Sequence, residues 1–258
     1  MSDGSDIDWL GLERTGEGRW EFVVTSGLAR LDGKFYGGTG IASATAVMEA
    51  ETGRRALWTT VQFVSSCAEG ATVRAEVAVG AAGRRSSQVQ VSAWVDDRLL
   101  YSALGSTGAP PAADALSVGF GQMPDVPAPE DCPPWRPRIP SGPFTGQGWL
   151  EISEGRAASE SGSMWMRMRD RPLTRPAMGF LADVVPSGVV RAAGHTGAGT
   201  SLDNSIRFGP EPDGDWMLVD VDPYMISSGY VHGAARLWSS GGALLGVASQ
   251  TASALIFD

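Results

Sequence analysis

Two short stretches, Thr59-Thr60-Val61-Gln62-Phe63 and Asn204-Ser205-Ile206-Arg207-Phe208, decide how this chain is organised. Each follows a helix-like pattern of small and apolar residues. Phe63 and Phe208, which end the two stretches, lie 145 positions apart. The chain therefore reads as two copies of one unit in which a helix precedes a strand.

Other landmarks repeat at nearly the same distance. Trp94 and Trp238 lie 144 positions apart, and Leu99-Leu100 precedes Leu244-Leu245 by 145. A nearly constant offset across three landmarks predicts an internal duplication of the whole unit.

Each copy contains one helical pattern. In the first copy the residues at helical spacing are Ile41, Ala44, Thr45 and Met48. In the second they are Ala177, Phe180, Leu181 and Val184. Pro176 suits a first helical turn and Pro186 is expected to end the run. We therefore expect one long helix in each half.

The remainder of each copy has the two-residue period of strands. Apolar residues alternate with polar ones over 72–79 and 88–95, which is typical of a sheet with one buried face. Asp96-Asp97 and Ser240-Gly241-Gly242 fall where hairpin turns are needed. The fold class is therefore α+β with an antiparallel sheet, and the alternating pattern of a doubly wound parallel sheet is missing.

Prolines mark the boundary between the copies. Ten of the 16 lie between Pro110 and Pro143, and this density is incompatible with a helix or a central strand. We interpret residues 1–107 and 147–258 as the two repeats, joined by a surface linker over 108–146.

Composition excludes several classes of protein. The 258 residues are 43% apolar, which is enough for a large core. The net charge of −9 argues against a surface that neutralises the phosphates of nucleic acid. Cys67 and Cys132 have no metal-type spacing. The N-terminus lacks the basic and apolar pattern of a secretory signal, and no apolar run approaches the ~20 residues of a membrane span. We expect a cytoplasmic protein with reduced thiols that binds no nucleic acid.

Common catalytic motifs are also missing. There is no phosphate-binding G-x-x-x-x-G-K-[ST] and no G-x-S-x-G nucleophile elbow. Gly38-Thr39-Gly40 follows a turn instead of an apolar strand, so close helix packing is favoured over nucleotide binding. His232 lies in a strand pattern beside Arg236 and Trp238, where a surface or stacking role is favoured over a catalytic one.

Gln250 is the most informative polar residue. Period two places it with Ala248, Ala252 and Ala254 on an apolar, inward face. A buried amide without a partner costs about 1–3 kcal/mol, so Gln250 should have one. Either a structural partner or a functional site satisfies this requirement.

The second half also has three carboxylates, Asp203, Asp220 and Asp222, each of which alone is most often a cap, a turn or a solvent-facing group. The duplication places Trp58 at the position of Asp203 and Ser106 at that of Gln250. The polar pair Asp203 and Gln250 thus occurs in one copy, as a single functional site would.

Five segments together resemble the acyl-CoA thioesterase II (TesB-like) family of double-hotdog proteins. They are Phe35-Tyr36-Gly37-Gly38, Gly83-Arg84-Arg85-Ser86-Ser87-Gln88-Val89, Ser201-Leu202-Asp203-Asn204-Ser205, Gly229-Tyr230-Val231-His232-Gly233 and Ala248-Ser249-Gln250-Thr251. They occur in the family's order in both halves.

The resemblance implies two tandem hotdog repeats, each a long helix wrapped by an antiparallel sheet, that assemble into a homodimer or a larger oligomer. It also implies hydrolysis of acyl-CoA by a water that an aspartate, a hydroxyl residue and a glutamine hold, without a metal or organic cofactor. By position these roles fall on Asp203, Asp222 and Gln250. Asp222 departs from the hydroxyl of the pattern, and Ser227 or Ser228 is the alternative.

Two other functions stay open. The departure at Asp222 favours a non-catalytic protein that binds acyl-CoA or an acyl carrier. A hotdog hydratase or dehydratase requires a histidine beside the acid, and neither His195 nor His232 lies in a convincing pattern of that kind.

Overall fold

The computed structural model describes residues 5–110, 112, 114–136, 146–160 and 162–257. The α-helices are α1 (Asp6–Leu10), α2 (Gly37–Thr52), α3 (Arg175–Ala182) and α4 (Val185–Ala192). The strands are β1 (Glu13–Gly16), β2 (Arg19–Val23), β3 (Arg55–Phe63), β4 (Thr72–Ala82), β5 (Ser86–Val95), β6 (Arg98–Gly108), β7 (Ser153–Ala157), β8 (Met164–Met168), β9 (Gly197–Phe208), β10 (Met217–Ser227), β11 (Tyr230–Ser239) and β12 (Leu244–Ile256).

The strands form one continuous antiparallel sheet. Their order is β1-β2-β4-β5-β6-β3-β9-β12-β11-β10-β8-β7, so the two halves meet where β3 pairs with β9. Helices cover one face of this sheet. The predicted α+β double-hotdog class is confirmed.

The junction between the halves has the symmetry of a duplication. Thr60 of β3 and Ser205 of β9 are directly opposite in the register, and their hydroxyls are hydrogen-bonded at 2.7 Å. These two residues lie 145 positions apart, which is the offset found in the sequence. This pair of equivalent residues thus lies at the centre of the antiparallel junction between the two copies.

Helix α2 is buried almost all round. Its residues from Gly37 to Met48 are all buried, between the sheet and α3. Small residues permit this close approach, and a helix without a polar stripe has to be covered on every side. The helix ends at Gly53, whose left-handed conformation caps it.

The expectation of one long helix in the second half is wrong. The helix there is broken into α3 and α4, with Asp183 and Val184 between them. The cause is Pro186, whose ring would clash with the carbonyl of Ala182 in a continuous helix and which has no N–H to donate to it. Pro186 instead lies in the first turn of α4, where that N–H is not needed.

Part of the proline-rich segment packs on the outer face of the second half. A satellite cluster joins the buried Cys132, Ala158, Trp165, Leu218 and Trp238 to the partly buried Met123 and Val126. The indole N–H of Trp165 donates to the carbonyl of Pro127 at 2.9 Å. Residues 137–145 of the predicted linker lie outside the described residues, and the boundaries at 107 and 146 stay predictions.

No helix in the described part of the chain is long and apolar enough to cross a membrane.

Candidate active site

A buried carboxylate occupies the break between α3 and α4. Asp183 is 8% exposed, and its Oδ1 accepts hydrogen bonds from Asn204 Nδ2 at 2.8 Å and from Gln250 Nε2 at 2.5 Å. Ser201 Oγ donates to the same oxygen at 3.4 Å. One acid, one hydroxyl and two amides therefore converge on a single point.

A β-bulge in β9 brings two of these side chains together. Ser201 and Asn204 are three residues apart, so in a regular strand they would face opposite sides of the sheet. The register with β12 shifts because Leu202 has no partner residue: Asp203 is opposite Thr251 and Ser201 is opposite Ala252. The extra residue turns both Ser201 and Asn204 toward the helices.

The first half of the chain completes the site with the N-terminus of α2. The backbone N–H of Gly38 donates to the Asp183 carboxylate. A Cβ on Gly37 would lie 2.8 Å from both Asp183 Oδ2 and Ser201 Oγ, so only glycine fits there. The first backbone N–H groups of a helix have no partner in a preceding turn, and together with the positive end of the dipole of α2 they favour negative charge at this place.

The protonation of Asp183 reflects a balance of two effects. Burial raises its pKa to about 7, although the hydrogen bonds from Asn204, Gln250, Gly38 and Ser201 favour the charged form and lower it. A carboxyl group with a pKa near neutrality can accept and return a proton at physiological pH.

Gln250 bridges the acid and the hydroxyl. Its Nε2 donates to Ser201 Oγ at 2.8 Å as well as to Asp183, and its side chain lies on the inner face that its parity predicts. Gln250 Oε1 is buried and has no hydrogen-bond partner among the described residues. This oxygen is an unused acceptor beside the acid.

The acid and the hydroxyl open into a cavity of about 400 Å³. Asp183 and Ser201 line it together with Tyr36 and Trp149, whose rings stack with centroids 5.2 Å apart and planes 7° apart. The Tyr36 hydroxyl is fixed by donating to the Phe180 carbonyl at 3.1 Å. The site therefore combines a polar centre with an aromatic wall. No group of three or more His, Cys, Asp or Glu side chains within the described ranges can hold a metal ion.

Asp203 does not belong to this group, and its predicted pairing with Gln250 is wrong. Because Gln250 is opposite Asn204 and Thr251 is opposite Asp203, the side chains of Asp203 and Gln250 point to opposite faces of the sheet. Asp203 Oδ1 accepts the backbone N–H of Thr251 at 2.7 Å, which stabilises the bulge.

The residues predicted to complete the site are also elsewhere. Asp222 is exposed and pairs with Ala234 on the outer face of β10 and β11. Ser227 and Ser228 are exposed at the tip of that hairpin, where Ser228 has a φ of 52°. The hydroxyl that contacts both Asp183 and Gln250 is that of Ser201.

Two signals in the sequence bear on the residues that were missed. Asp183 is the only charged residue between Pro176 and Val190. A charged residue in an apolar run indicates a buried charge, which is rare unless the charge has a partner. Ser201 is the first residue of the segment Ser201-Leu202-Asp203-Asn204-Ser205, which resembles the family. Its orientation depends on the bulge at Leu202, which strict alternation does not reveal.

The fold and the site are those of a double-hotdog protein with a buried acid, hydroxyl and amide where its two repeats meet. The chain matches the model of the acyl-CoA thioesterase N-terminal domain over residues 26–108 and that of the acyl-CoA thioesterase C-terminal domain over residues 119–254. The chain belongs to the acyl-CoA thioesterase family, and its class is that of a thioester hydrolase.

Solved structures agree with this assignment. A candidate thioesterase from Novosphingobium aromaticivorans is 30% identical, with a TM-score of 0.83 over 94% of this chain and 97% of that chain. Two others share the fold at lower identity. A TesB protein from Mycobacterium avium subspecies paratuberculosis is 22% identical, with a TM-score of 0.78 and full coverage of both chains. The acyl-CoA thioesterase II TesB2 from Mycobacterium marinum is 18% identical, with a TM-score of 0.73 over 98% of this chain and 99% of that one. The comparison with curated proteins found no matching sequence.

Proposed function

We propose that this chain hydrolyses acyl-CoA thioesters to the free acid and coenzyme A at the site of Asp183, Ser201 and Gln250. The observation that carries the proposal is the convergence of these three side chains at the inner end of a cavity, next to the N-terminus of α2. Asp203 and Asp222 have no part in it.

The reaction follows from the positions of the groups. Asp183 takes a proton from water while the water oxygen bonds to the thioester carbonyl carbon. Gln250 orients this water, because its unused Oε1 can accept the second O–H, and Ser201 holds the Gln250 amide in place. The water is thereby aimed at the carbonyl carbon.

The N-terminus of α2 carries a partial positive charge, which complements the negative charge that develops on the thioester. The positive end of the α2 dipole stabilises the oxyanion that forms on the carbonyl oxygen. As the intermediate collapses, the carbon–sulfur bond breaks and the proton on Asp183 passes to the leaving sulfur. The products are a carboxylic acid and a free thiol, and the cycle needs no metal or organic cofactor.

A free-thiol assay with a panel of acyl-CoA substrates tests the proposal. Asp183→Asn should lower the rate by on the order of 10²–10⁴-fold, the usual effect of losing a positioned base. Asp203→Asn is the matched control, since it makes the same chemical change on the outer face and should leave the rate unchanged. Equal rates for Asp183→Asn and the parent would refute the assignment.

A binding protein without activity is the alternative outcome. The missing hydroxyl at Asp222 favoured that alternative, but Ser201 offers a hydroxyl within the site. If the parent binds acyl-CoA and releases no thiol, the binding function replaces the proposed one.

A second candidate reaction is the hydration of an enoyl thioester. It is favoured by one observation, that His195 lines the same cavity as Asp183. Incubation with crotonyl-CoA distinguishes the reactions, because hydration consumes the double bond and releases no thiol. We expect thiol release and no hydration.

A further inference from the structure

The outer face of the second half has an apolar patch on which the proline-rich segment packs. Trp165, Leu218 and Trp238 lie side by side on β8, β10 and β11, since Leu218 is opposite both tryptophans in the register. Each of the three is at most 2% exposed, and Met123 and Val126 pack against them. This place in the fold therefore accepts a stretch of chain laid across the sheet.

The corresponding place in the first half is a groove. The residues that lie 144 positions before the three patch residues are Glu21, Arg74 and Trp94. They have the same register, because Arg74 is opposite both Glu21 and Trp94. They line a groove of about 480 Å³, and Trp94 is partly exposed there whereas Trp238 is buried. We call it the Trp94 groove.

The charges that line the Trp94 groove are largely paired with one another. Arg19 is opposite Glu76, and Glu21 is opposite Arg74, so each cation faces a carboxylate on the neighbouring strand. The indole of Trp94 and the stems and guanidinium groups of the arginines offer surfaces on which an aromatic ring stacks. The groove therefore suits an uncharged segment with an aromatic side chain.

The proline-rich segment presents such side chains to solvent. Gly119 and Gly121 face the sheet of their own chain, since a Cβ on them would lie 3.2 Å from Leu244 and 3.5 Å from the Trp238 indole. The alternate residues form an apolar ridge on the other side: Leu116, Val118 and Phe120 are 91%, 59% and 82% exposed. Contiguous exposed apolar side chains indicate an interaction site.

The ridge and the groove belong to the same face of the sheet. The groove lies on β2, β4 and β5, and the ridge lies over β11 and β12. Between them, Leu104 of β6 and Val247 of β12 are exposed on the outer face, on either side of the junction of β3 and β9. One continuous surface thus has a groove at one end, apolar side chains at its centre and a ridge at the other end.

A second copy of this chain is the partner that fits both ends. We propose that two copies pack through their outer faces, with the ridge at Leu116, Val118 and Phe120 of each copy in the Trp94 groove of the other. A two-fold axis parallel to this face forms both contacts at once, which is the arrangement of an isologous interface. An unrelated protein would have to match the ridge and the groove separately. This inference does not depend on the proposed function.

Sedimentation equilibrium of the full chain tests the interface. The parent should dimerise, and Phe120→Asp and Trp94→Ser should each raise the dissociation constant at least tenfold. Tyr224→Asp is the matched control, because Tyr224 is an aromatic residue 60% exposed on the hairpin of β10 and β11, and it should keep the constant of the parent. Circular dichroism checks that each variant is folded. Arg74→Glu, which places a second carboxylate opposite Glu21, tests the groove by the same measurement if Trp94→Ser does not fold.

A mixing experiment identifies the pairing of ridge with groove. A dimer of Phe120→Asp or of Trp94→Ser has two damaged contacts. A mixed dimer of the two variants has both changes in one contact and leaves the other intact, so an equimolar mixture should associate more tightly than either variant alone. A parent that stays monomeric at all concentrations, a dimer that neither variant weakens, or a mixture without any gain would overturn the inference. A monomeric parent would leave the groove to a segment of another protein.

Discussion

Replacing Asp183 by asparagine should stabilise the protein at neutral pH while it removes the activity. The pKa of Asp183 rises from 3.8 to about 7 in the fold, mainly because the carboxyl group is buried. The folded state therefore binds more protons than the unfolded state between these values, so its stability falls as the pH rises through them. The loss is about 1.4 kcal/mol per pH unit, or about 4 kcal/mol over the whole interval.

Urea unfolding from about pH 4 to 8, followed by tryptophan fluorescence, measures this effect. The variant has no carboxyl to ionise, so the difference in unfolding free energy between variant and parent should rise by about 4 kcal/mol between about pH 4 and 7 and then level off. A difference that stays flat across this range would show that Asp183 is not a buried acid of raised pKa, and the mechanism would lose its base.

Glu49 provides the matched control. Burial also raises its pKa to about 7, but it lies near the end of α2, where its Oε1 accepts the Ala56 N–H at 2.7 Å. Glu49→Gln keeps that acceptor, so it should stabilise the protein in the same pH window and retain full thioesterase activity. If Glu49→Gln were inactive, loss of a buried charge anywhere in the fold would explain the effect of Asp183→Asn.

Further predictions concern the same site and the assembly. The kcat/KM of the parent should rise with pH through about 7, because Asp183 acts as a base only when ionised; a flat profile would contradict this. Asn204→Leu removes a donor that favours the charged form, so it should move the midpoint of this profile to higher pH. Gly37→Ala should lower thiol release at least tenfold, because its Cβ would press on Asp183 and Ser201, whereas Gly80→Ala, with no neighbouring atom closer than 3.8 Å, should be silent. We also propose at least a homodimer, because the terminal strands β1 and β7 leave sheet edges that need cover; a mass of 27.0 kDa at all concentrations in light scattering would exclude it.

The fold was accessible from the sequence because its signals are periodic and occur twice. Alternating residues over 72–79 and 88–95 do lie in strands β4 and β5, and the turn at Asp96-Asp97 does join β5 to β6. Such patterns depend on neighbours within a few positions. The 145-residue offset then supplied long-range information that one copy of the unit would not contain.

The site was less accessible because it depends on two local departures from periodicity. Strict alternation identifies the inward face of Gln250, since β12 is regular from Gly246 to that residue. The same rule fails in β9, where the bulge at Leu202 reverses the parity and makes Asp203 an outward-facing residue. Pro186 marks the break between α3 and α4, but a helical pattern alone does not show that Asp183 turns inward there.

The duplication explains why the proposed active site occurs once although the bulge that shapes it occurs in both copies. Strand β3 has the same irregularity as β9, since its register with β6 shifts around Leu57, the equivalent of Leu202 at the 145-residue offset.

In the first copy the two side chains beside the bulge are Ala56 and Thr59, both buried, where the second copy has Ser201 and Asn204. Ser106 likewise stands where the second copy has Gln250. Both copies keep the bulge because it shapes the strand, whereas only the second has strand side chains that hydrogen-bond to Asp183. The first copy contributes the N-terminus of α2 instead, so the complete site requires both repeats in one sheet, and neither repeat alone should release thiol from an acyl-CoA.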